Sequence, residues 1–286
     1  MKPNYTIITV MNNNVVLAKN HKNKNEVVLL GKGIGFGKKK DATVYFSEDV
    51  IERSFINISK SLKKDYFELI QQMDLEIMGL CQEIILMAEK EIGELSDNIH
   101  IVLTDHIGFA IERLRQNIEI ANPFLHEIRI LYADEYKLSM KAIELINSEI
   151  DVTLPEEEAA FIALHLHSAR KNREVKKTLR NTKVIKEIVD LLESEIGFDV
   201  LEEALTYRRL LTHIRAGIDR IENGIRLENP LLKSIKKEFK DSWILACKAK
   251  SIIENKLELE VTDDEVGYLA IHIDRLKRLK SKRVTD

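Results

Sequence analysis

Histidines are the side chains whose number and spacing first suggest chemistry in this chain. Eight histidines occur in 286 residues, and four of them form two equally spaced pairs. His106 and His165 have the same separation in sequence as His213 and His272. Near pH 7 a neutral imidazole is a nucleophile, a proton acceptor or a metal ligand. The pairs therefore mark candidate positions for phosphoryl transfer, acid–base chemistry or metal binding.

The equal spacing belongs to an internal repeat. The segment 106–165 aligns with 213–272 without gaps, and 17 of the 60 aligned positions are identical. The period of this repeat is longer than the roughly 20–50 residues of solenoid repeats, so it predicts two copies of one domain. After residue 60 the apolar residues recur at helical spacing, which predicts an all-α bundle for each copy.

Charged residues repeat together with the histidines. Glu158 precedes His165 by two helical turns and shares its helix face, as Glu265 does with His272. Such a carboxylate is able to hold an imidazole in one tautomer, although the spacing is long for a direct contact. An arginine also follows the first histidine of each copy by two helical turns, and it would favour an anion arriving there. These arginines are Arg113 and Arg220.

Three other interpretations compete with a histidine switch. In the first interpretation the histidines are purely structural. Retention of both pairs across a duplication favours a functional role instead. A metal site is disfavoured, because His165 and His167 point to different faces of a helix and no H-E-x-x-H spacing occurs. An enzyme nucleophile is disfavoured, because there is no G-x-S-x-G motif and neither Cys81 nor Cys247 is repeated. We therefore predict phosphorylation of histidine, which adds charge and acceptor oxygens.

The second candidate site is the segment GKGIGFGKKK at 31–40. It is neither a P-loop nor a dinucleotide-binding fingerprint, because the required spacings are absent. Glycines at alternate positions predict a strand with one bare face. Phe36 and four lysines around that face suit stacking of unpaired bases beside phosphates. The alternative is an ordinary glycine-rich hairpin with a solvated lysine tail.

The charge distribution favours nucleic acid for the same region. The segment 1–60 carries ten Lys and Arg against five Asp and Glu, whereas 61–286 carries 34 against 42. The β-type runs YTIITV, NVVLA, EVVLLG and ATVYF all lie in this basic segment. Asn12, Asn13 and Asn14 either supply amides that read base edges or form a simple turn. The chain is thus predicted to be a multi-domain protein with a small all-β RNA-binding domain followed by two homologous all-α helical-bundle domains.

Composition excludes several classes of protein. No run approaches the ~18–20 apolar residues that a bilayer requires, so no membrane partner is expected. The N-terminus lacks the pattern of a signal peptide. Two distant cysteines form neither a disulfide scaffold nor a thiolate cluster, which is typical of a reducing cytoplasm. We expect a cytoplasmic protein without metal or cofactor.

These motifs together resemble the BglG/SacY/LicT family of bacterial transcriptional antiterminators over the whole chain. The head, with VMNNNVVLA and EVVLLGKGIGFGKK, is similar to their RNA-binding co-antiterminator domain, here 1–60. TDHIGFAIER and LPEEEAAFIALHLH resemble one phosphotransferase regulation domain, here 65–171. LTHIRAGIDRI and YLAIHIDRL resemble a second, here 172–286. Within the family the motifs are nearest to those of the glucose-type antiterminators.

The resemblance implies a mechanism. Such proteins dimerise through the head, bind a hairpin in the leader mRNA and prevent formation of an overlapping terminator. The phosphotransferase system (PTS), through a sugar transporter EIIB domain and the phosphocarrier HPr, would phosphorylate the repeated histidines: His106, His165, His213 and His272. The residues at or near the family's RNA contacts would be Asn12, Asn13, Asn14, Gly31, Lys32, Phe36 and Lys38. Thr9 departs from the family pattern, which has a lysine there.

The resemblance also orders the remaining alternatives. It implies a sugar-responsive regulator that acts as a homodimer and is not an enzyme. A PTS-regulated DNA-binding activator would need a helix-turn-helix motif, whereas residues 1–60 have the pattern of strands. A phosphocarrier enzyme would need an acceptor substrate and a pocket for it, for which the sequence gives no indication.

Overall fold

A computed structural model describes residues 2–55, 74–197 and 204–283. The predicted boundary near 57–65, like the domain ends at 60, 65 and 286, lies outside these residues. The chain forms two compact units. The first comprises Met1–Asn122 and Asp134–Val175, and the second comprises Pro123–Ala133 and Lys176–Asp286.

The head of the first unit is an antiparallel sheet with strand order β4-β1-β2-β3-β5. The strands are β1 (Tyr5–Asn12), β2 (Val15–Asn20), β3 (Glu26–Leu30), β4 (Thr43–Val44) and β5 (Arg53–Phe55). Only Thr43 and Val44 of the predicted run ATVYF are strand residues, and β5 was not predicted. The small all-β head is nevertheless confirmed.

Both faces of this sheet are buried. One face is covered by the head's own loops and contains Ile7, Val16, Ala18, Val27, Leu29, Ile34 and Phe46. The other face packs against the first helix of the body and contains Met11, Val15, Leu17, Val28, Leu30 and Met78. Because successive side chains of a strand point to opposite faces, burial on both faces explains the uninterrupted apolar runs VVLA and VVLL.

The glycine-rich segment is not the bare strand that its alternating pattern predicted. Residues 32–37 form consecutive turns, in which the Phe36 amide donates to the Gly33 carbonyl at 3.1 Å. Gly33 and Gly37 have φ values of 69° and 66°, a left-handed conformation that no strand contains. Ile34, between them, is buried in the core of the head. The turns therefore follow from two glycines with positive φ on either side of an apolar anchor.

The described residues of the body form ten helices. The first copy of the repeat contains α1 (Leu75–Ile92), α2 (Ile99–Arg115), α3 (Leu125–Leu131), α4 (Ala133–Glu149) and α5 (Glu156–Arg170). The second contains α6 (Val175–Ile196), α7 (Ala204–Glu222), α8 (Leu232–Glu238), α9 (Lys240–Leu257) and α10 (Asp263–Arg283). Helices α3 and α8 begin and end at matching positions of the sequence repeat. The two homologous helical regions are thus confirmed.

One short helix of the first copy packs within the second unit. Glu127 of α3 accepts a hydrogen bond from the Tyr207 hydroxyl at 3.1 Å, and the His126 ring stacks on Tyr207 at 5.5 Å. Lys186 of α6 lies 3.4 Å from the same Glu127 carboxylate. The second unit therefore includes a short segment of the first copy together with the residues from Lys176 onward. No helix in the described ranges is long and apolar enough to cross a membrane.

Candidate functional site

The first histidine pair lies between α2, which carries His106, and α5, which carries His165. The two ring centroids are 4.7 Å apart with an interplanar angle of 32°. Oε2 of Glu158 lies 2.8 Å from Nε2 of His106. Glu158 therefore holds the imidazole of the facing helix, whereas the sequence pattern had paired it with His165 on its own helix. The Glu158 side chain is only 2% exposed, so its hydrogen bond with His106 offsets part of the cost of burying a carboxylate.

His165 is the more enclosed member of the first pair. Burial, followed by the charge of His106, lowers the pKa of His165 from 6.5 to about 3. Nδ1 of His165 is buried and has no hydrogen-bond partner among the described residues. The ring is therefore neutral at pH 7, which leaves a nitrogen lone pair available.

A cavity of about 440 Å³ opens beside the first pair. Its lining includes both histidines and also Asp105, Phe109 and Arg173. Phe109, one of the lining residues, is 61% exposed. The arginine predicted to attract an anion does not line this cavity, because Arg113 donates to the Glu119 carbonyl at 3.1 Å. The cavity has Arg173 as a cation instead.

His167 does not belong to this site. Its Nδ1 lies 3.0 Å from Oε1 of Glu135, which also accepts from Arg170 at 3.2 Å. Burial alone would raise the pKa of Glu135. The hydrogen bonds with His167 and Arg170, together with the charge of His167, instead lower it to about 2. Burial raises the pKa of the Cys81 thiol to about 12, which removes it as a nucleophile. Within the described ranges no group of His, Cys, Asp and Glu has an arrangement suited to a metal.

The second histidine pair lies between α7 and α10. The rings of His213 and His272 stack with centroids 3.7 Å apart and an interplanar angle of 24°. Here the repeated glutamate binds the repeated arginine. Arg220 donates from Nε and one terminal nitrogen to the two oxygens of Glu265, at 2.8 and 2.6 Å. The second pair therefore has a guanidinium–carboxylate pair where the first has a histidine–carboxylate bond.

Both histidines of the second pair have pKa values below the usual 6.5. Burial lowers the pKa of His272 to about 4, and the charges of His213 and Arg275 add to the effect. Burial, Arg220 and Arg209 lower the pKa of His213 as well. The adjoining cavity of about 170 Å³ is lined by both histidines and, in addition, by Arg220, Lys250 and Glu265. Neutral rings thus lie beside cations that would attract an anion.

In the head, the asparagine turn and the glycine-rich turns form one surface. The Gly31 amide donates to the Asn14 carbonyl at 3.0 Å, and the Gly33 amide donates to Asn14 Oδ1 at 2.9 Å. The Gly35 amide donates to the Asn13 carbonyl at 2.9 Å. Two segments that are well separated in sequence are thereby fixed side by side.

This surface exposes the side chains that sequence analysis singled out. Phe36 is 73% exposed, and Asn13, Lys32 and Lys38 are also exposed. An aromatic ring displayed to solvent beside lysines and amides suits stacking and phosphate contacts with unpaired bases. Asn12 and Asn14 are half-buried, because their amides face α1.

Comparison with known proteins assigns both regions. A model of the CAT RNA-binding domain matches residues 5–64, and a model of the PRD domain matches 82–169 and again 186–276. The chain belongs to the BglG family of transcription antiterminators. All four repeated histidines lie inside the two PRD matches, and the asparagine and glycine-rich segments lie inside the CAT match. The resemblance that the sequence motifs indicated is confirmed.

Relatives match along almost the full chain. Transcription antiterminator LicT of Bacillus subtilis is 35% identical, covering 94% of this chain and 98% of the relative. The beta-glucoside operon antiterminator of Dickeya chrysanthemi is 33% identical over 95% and 96%. Protein GlcT of Staphylococcus aureus is 32% identical over 94% and 95%. A crystal structure of GlcT CAT-PRDI shares 40% identity and covers 59% of this chain and 99% of its own, with a TM-score of 0.49.

Family membership makes the chain a regulator of transcription. The sequence motifs did not indicate Arg173 and Lys250, two cations that line the cavities from outside the repeated motifs, and they did not indicate Glu83. No spacing relates the two cations to the histidines, because only tertiary packing brings them near. Glu83 of α1 contacts the asparagine turn through tertiary packing, which no local pattern indicates.

Proposed function

We propose that this chain is a sugar-responsive antiterminator that binds a leader mRNA hairpin as a homodimer and prevents formation of the terminator. Histidine phosphorylation by the PTS would control it in the cytoplasm. The observation that carries the proposal is that both repeat copies place two imidazoles in contact beside a cavity. The functional domains would be 1–60 for RNA binding, and 65–171 and 172–286 for regulation.

The RNA-binding residues of the proposal are those of the head surface: Asn12, Asn13, Asn14, Gly31, Lys32, Phe36 and Lys38. Their roles follow from their chemistry. Phe36 stacks on an unpaired base, the asparagine amides recognise base edges, and the lysines contact phosphates. A head of about sixty residues buries little surface alone, which favours its action as a dimer.

The phosphorylation sites of the proposal are His106, His165, His213 and His272. In each transfer an imidazole nitrogen of this chain attacks the phosphorus of a phosphorylated donor. A new N–P bond forms, the bond to the donor breaks, and the donor keeps the electron pair and takes up a proton. The depressed pKa values of His165, His213 and His272 support this role, because the neutral ring is the nucleophile.

The two copies would respond to different donors with opposite effects. The EIIB domain of a sugar transporter would phosphorylate the first copy and inhibit, whereas HPr would phosphorylate the second and activate. The buried carboxylate of Glu158 would repel a phosphoryl group in the first copy. Arg220 and Lys250 would attract one in the second.

The phosphorylation half of the proposal is tested by mass spectrometry. The full chain is incubated with phosphorylated HPr or with each phosphorylated EIIB domain, and the modified residues are located. The expected result is phosphohistidine at the four repeated positions and at neither His21 nor His126. Modification at none of the four would refute this half of the proposal.

The RNA half is tested by gel shifts of the full chain with a leader hairpin that has unpaired internal bases. Phe36→Ala should weaken binding by about 1–3 kcal/mol if the ring stacks on a base. Lys32→Ala should weaken it less and lower the slope of binding against salt by about one unit. Preference for duplex DNA over the hairpin would instead support the DNA-binding alternative.

A further inference from the structure

Helix α1 directly contacts the asparagine turn of the head. Oε1 of Glu83 lies 2.8 Å from Nδ2 of Asn12, and Oε2 lies 3.1 Å from Nδ2 of Asn14. Both side-chain oxygens of one carboxylate thus accept from two of the three asparagines on the proposed RNA surface. Charge-assisted hydrogen bonds of this kind are stronger than neutral ones. While the contact lasts, base acceptors compete with a carboxylate for these amides.

The close approach of α1 depends on a glycine in the middle of the helix. Gly79 lies one turn before Glu83, and a Cβ at this position would lie 2.5 Å from Nδ2 and 2.6 Å from Cγ of Asn12. Glycine within a helix is less favourable than alanine by roughly 1 kcal/mol. The glycine therefore weakens the helix and allows the Asn12 side chain to lie directly on its backbone.

The rest of the helix face is complementary to the head. Met78 is fully buried against the second face of the sheet, and Leu75 and Leu86 pack beside it. Lys90 forms an ion pair with Glu52 of the head at 2.6 Å. The contacting residues recur every three or four positions along α1, so one helix stripe is dedicated to the head. They are Leu75, Met78, Gly79, Glu83, Leu86 and Lys90.

We propose that α1 is an internal competitor of RNA. It holds the head in a blocked state in which Glu83 occupies the amides of Asn12 and Asn14, and RNA binds when α1 leaves this surface. The inference rests on the proposed function, since it assumes that these amides contact RNA. It adds the regulation of that site: the first helix of the body, rather than phosphate itself, covers the RNA-binding residues.

The test uses the full chain with three single variants on α1. Glu83→Ala removes both acceptors, and Gly79→Ala disrupts the approach to Asn12 while strengthening the helix. Glu76→Ala is the matched control, because Glu76 is an exposed carboxylate on the same helix with no contact to the asparagine amides. Both Glu76 and Glu83 line the recess beside the asparagine turn, so either substitution removes one negative charge there. Binding is measured with a fluorescent leader hairpin that contains unpaired bases.

We expect Glu83→Ala to bind the hairpin about tenfold tighter than the wild type, the effect of losing about 1.4 kcal/mol of blocking contact. Gly79→Ala should bind a few-fold tighter, and Glu76→Ala should stay within twofold. In the RNA-free chain the NMR signals of the Asn12 and Asn14 side-chain amides should move in Glu83→Ala and remain in place in Glu76→Ala.

The failures of the two proposals are distinguishable. If the wild type binds the hairpin and Glu83→Ala binds no tighter, the blocking role is refuted while RNA binding stands. Equal tightening by Glu83→Ala and Glu76→Ala would show a general charge effect and also refute it. If no variant binds any leader hairpin, the proposed function fails and the inference fails with it.

Discussion

The two histidine sites have the same residues at the same repeat positions, yet they form different hydrogen-bond networks. In the first, Glu158 binds His106 at 2.8 Å. In the second, Glu265 binds Arg220 through both oxygens. The arginine at the matching position of the first copy, Arg113, instead donates to a backbone carbonyl.

This difference predicts opposite electrostatic responses to the same modification. A phosphoryl group adds about −1.5 to −2 charges at pH 7. In the first site this charge appears beside a buried carboxylate that already uses His106 as its partner. In the second site it appears beside a guanidinium and Lys250. We therefore expect a phosphate to destabilise the first site and to stabilise the second, although the repeated histidine, glutamate and arginine are the same in both.

The largest effect is expected from removing the histidines of the first site. His106→Ala and His165→Ala should each allow antitermination without the inducing sugar, because the inhibiting phosphate can no longer be attached. His213→Ala and His272→Ala should not relieve repression and should lower activity where HPr activates. A terminator–reporter fusion in cells with and without the sugar transporter measures the relief of repression in the first-site variants and the lowered activity in the second-site variants.

His126→Ala is a suitable control for this experiment, since His126 lies outside both pairs and stacks on Tyr207. It should leave induction by sugar intact. Full repression of both first-site variants in the absence of sugar would show that these histidines are structural. The comparison of the two sites would then lose its functional meaning.

A smaller effect is expected from exchanging the charged partners. Phosphorylation of the first site should lower the thermal midpoint, because like charges about 4 Å apart in a protein repel by roughly a few kcal/mol. In Glu158→Gln most of that decrease should disappear. In Arg220→Gln phosphorylation of the second site should become destabilising, because Glu265 then faces the phosphate without its partner. At roughly 2–4 °C per kcal/mol, differential scanning calorimetry resolves both changes.

Glu265→Gln is the control for the second site, since it leaves Arg220 free for the phosphate. Phosphorylation should stabilise this variant at least as much as the wild type. If phosphorylation shifts the thermal midpoint of Glu158→Gln and of the wild type equally, the buried carboxylate has no part in the response.

Sequence patterns predicted the elements of these sites better than their partners. The internal repeat located both pairs and their helices, because a duplicated bundle keeps its helix positions. Which residue Glu158 binds depends on the facing helix, so two turns of spacing along α5 gave the wrong histidine. Alternating glycines predicted a strand, but periodicity carries no information on φ, and Gly33 and Gly37 form turns. The contact of Glu83 with the asparagine turn is tertiary and left no local pattern.

The dependence of stability on pH should distinguish the two sites more finely. Both His165 and His272 are neutral when folded, with pKa values of about 3 and about 4, and both take up a proton near 6.5 when unfolded. The unfolded chain therefore binds more protons, and the free energy of unfolding falls as pH decreases from about 6.5. Each histidine contributes at most ~1.4 kcal/mol per pH unit. The loss should continue to about pH 3 for the first site and end near pH 4 for the second.

NMR titration of the imidazole signals measures these pKa values directly. Urea denaturation of His165→Gln and His272→Gln, each compared with the wild type between pH 3 and 7, tests the effect on stability. Each variant should show a weaker pH dependence than the wild type. A His165 signal that titrates near 6.5 would contradict the burial on which this difference depends.

The smallest expected effect concerns the helix starts that position the two glutamates. Helix α10 is preceded by Thr262, whose Oγ1 accepts from the Glu265 amide at 3.4 Å, whereas α5 is preceded by Pro155, whose backbone carbonyl accepts from Glu158 at 3.0 Å. Thr262→Ala should therefore cost about 0.5–1 kcal/mol, the lower end for an N-cap because the bond is long. Pro155→Ala keeps its carbonyl and should change stability by a few tenths of a kcal/mol.

Trp243, the single tryptophan, lies on α9 and reports unfolding of the second unit by fluorescence, while circular dichroism follows both variants. An equal loss in the two variants would show that the threonine side chain does not cap α10, and that both glutamates are positioned by packing alone.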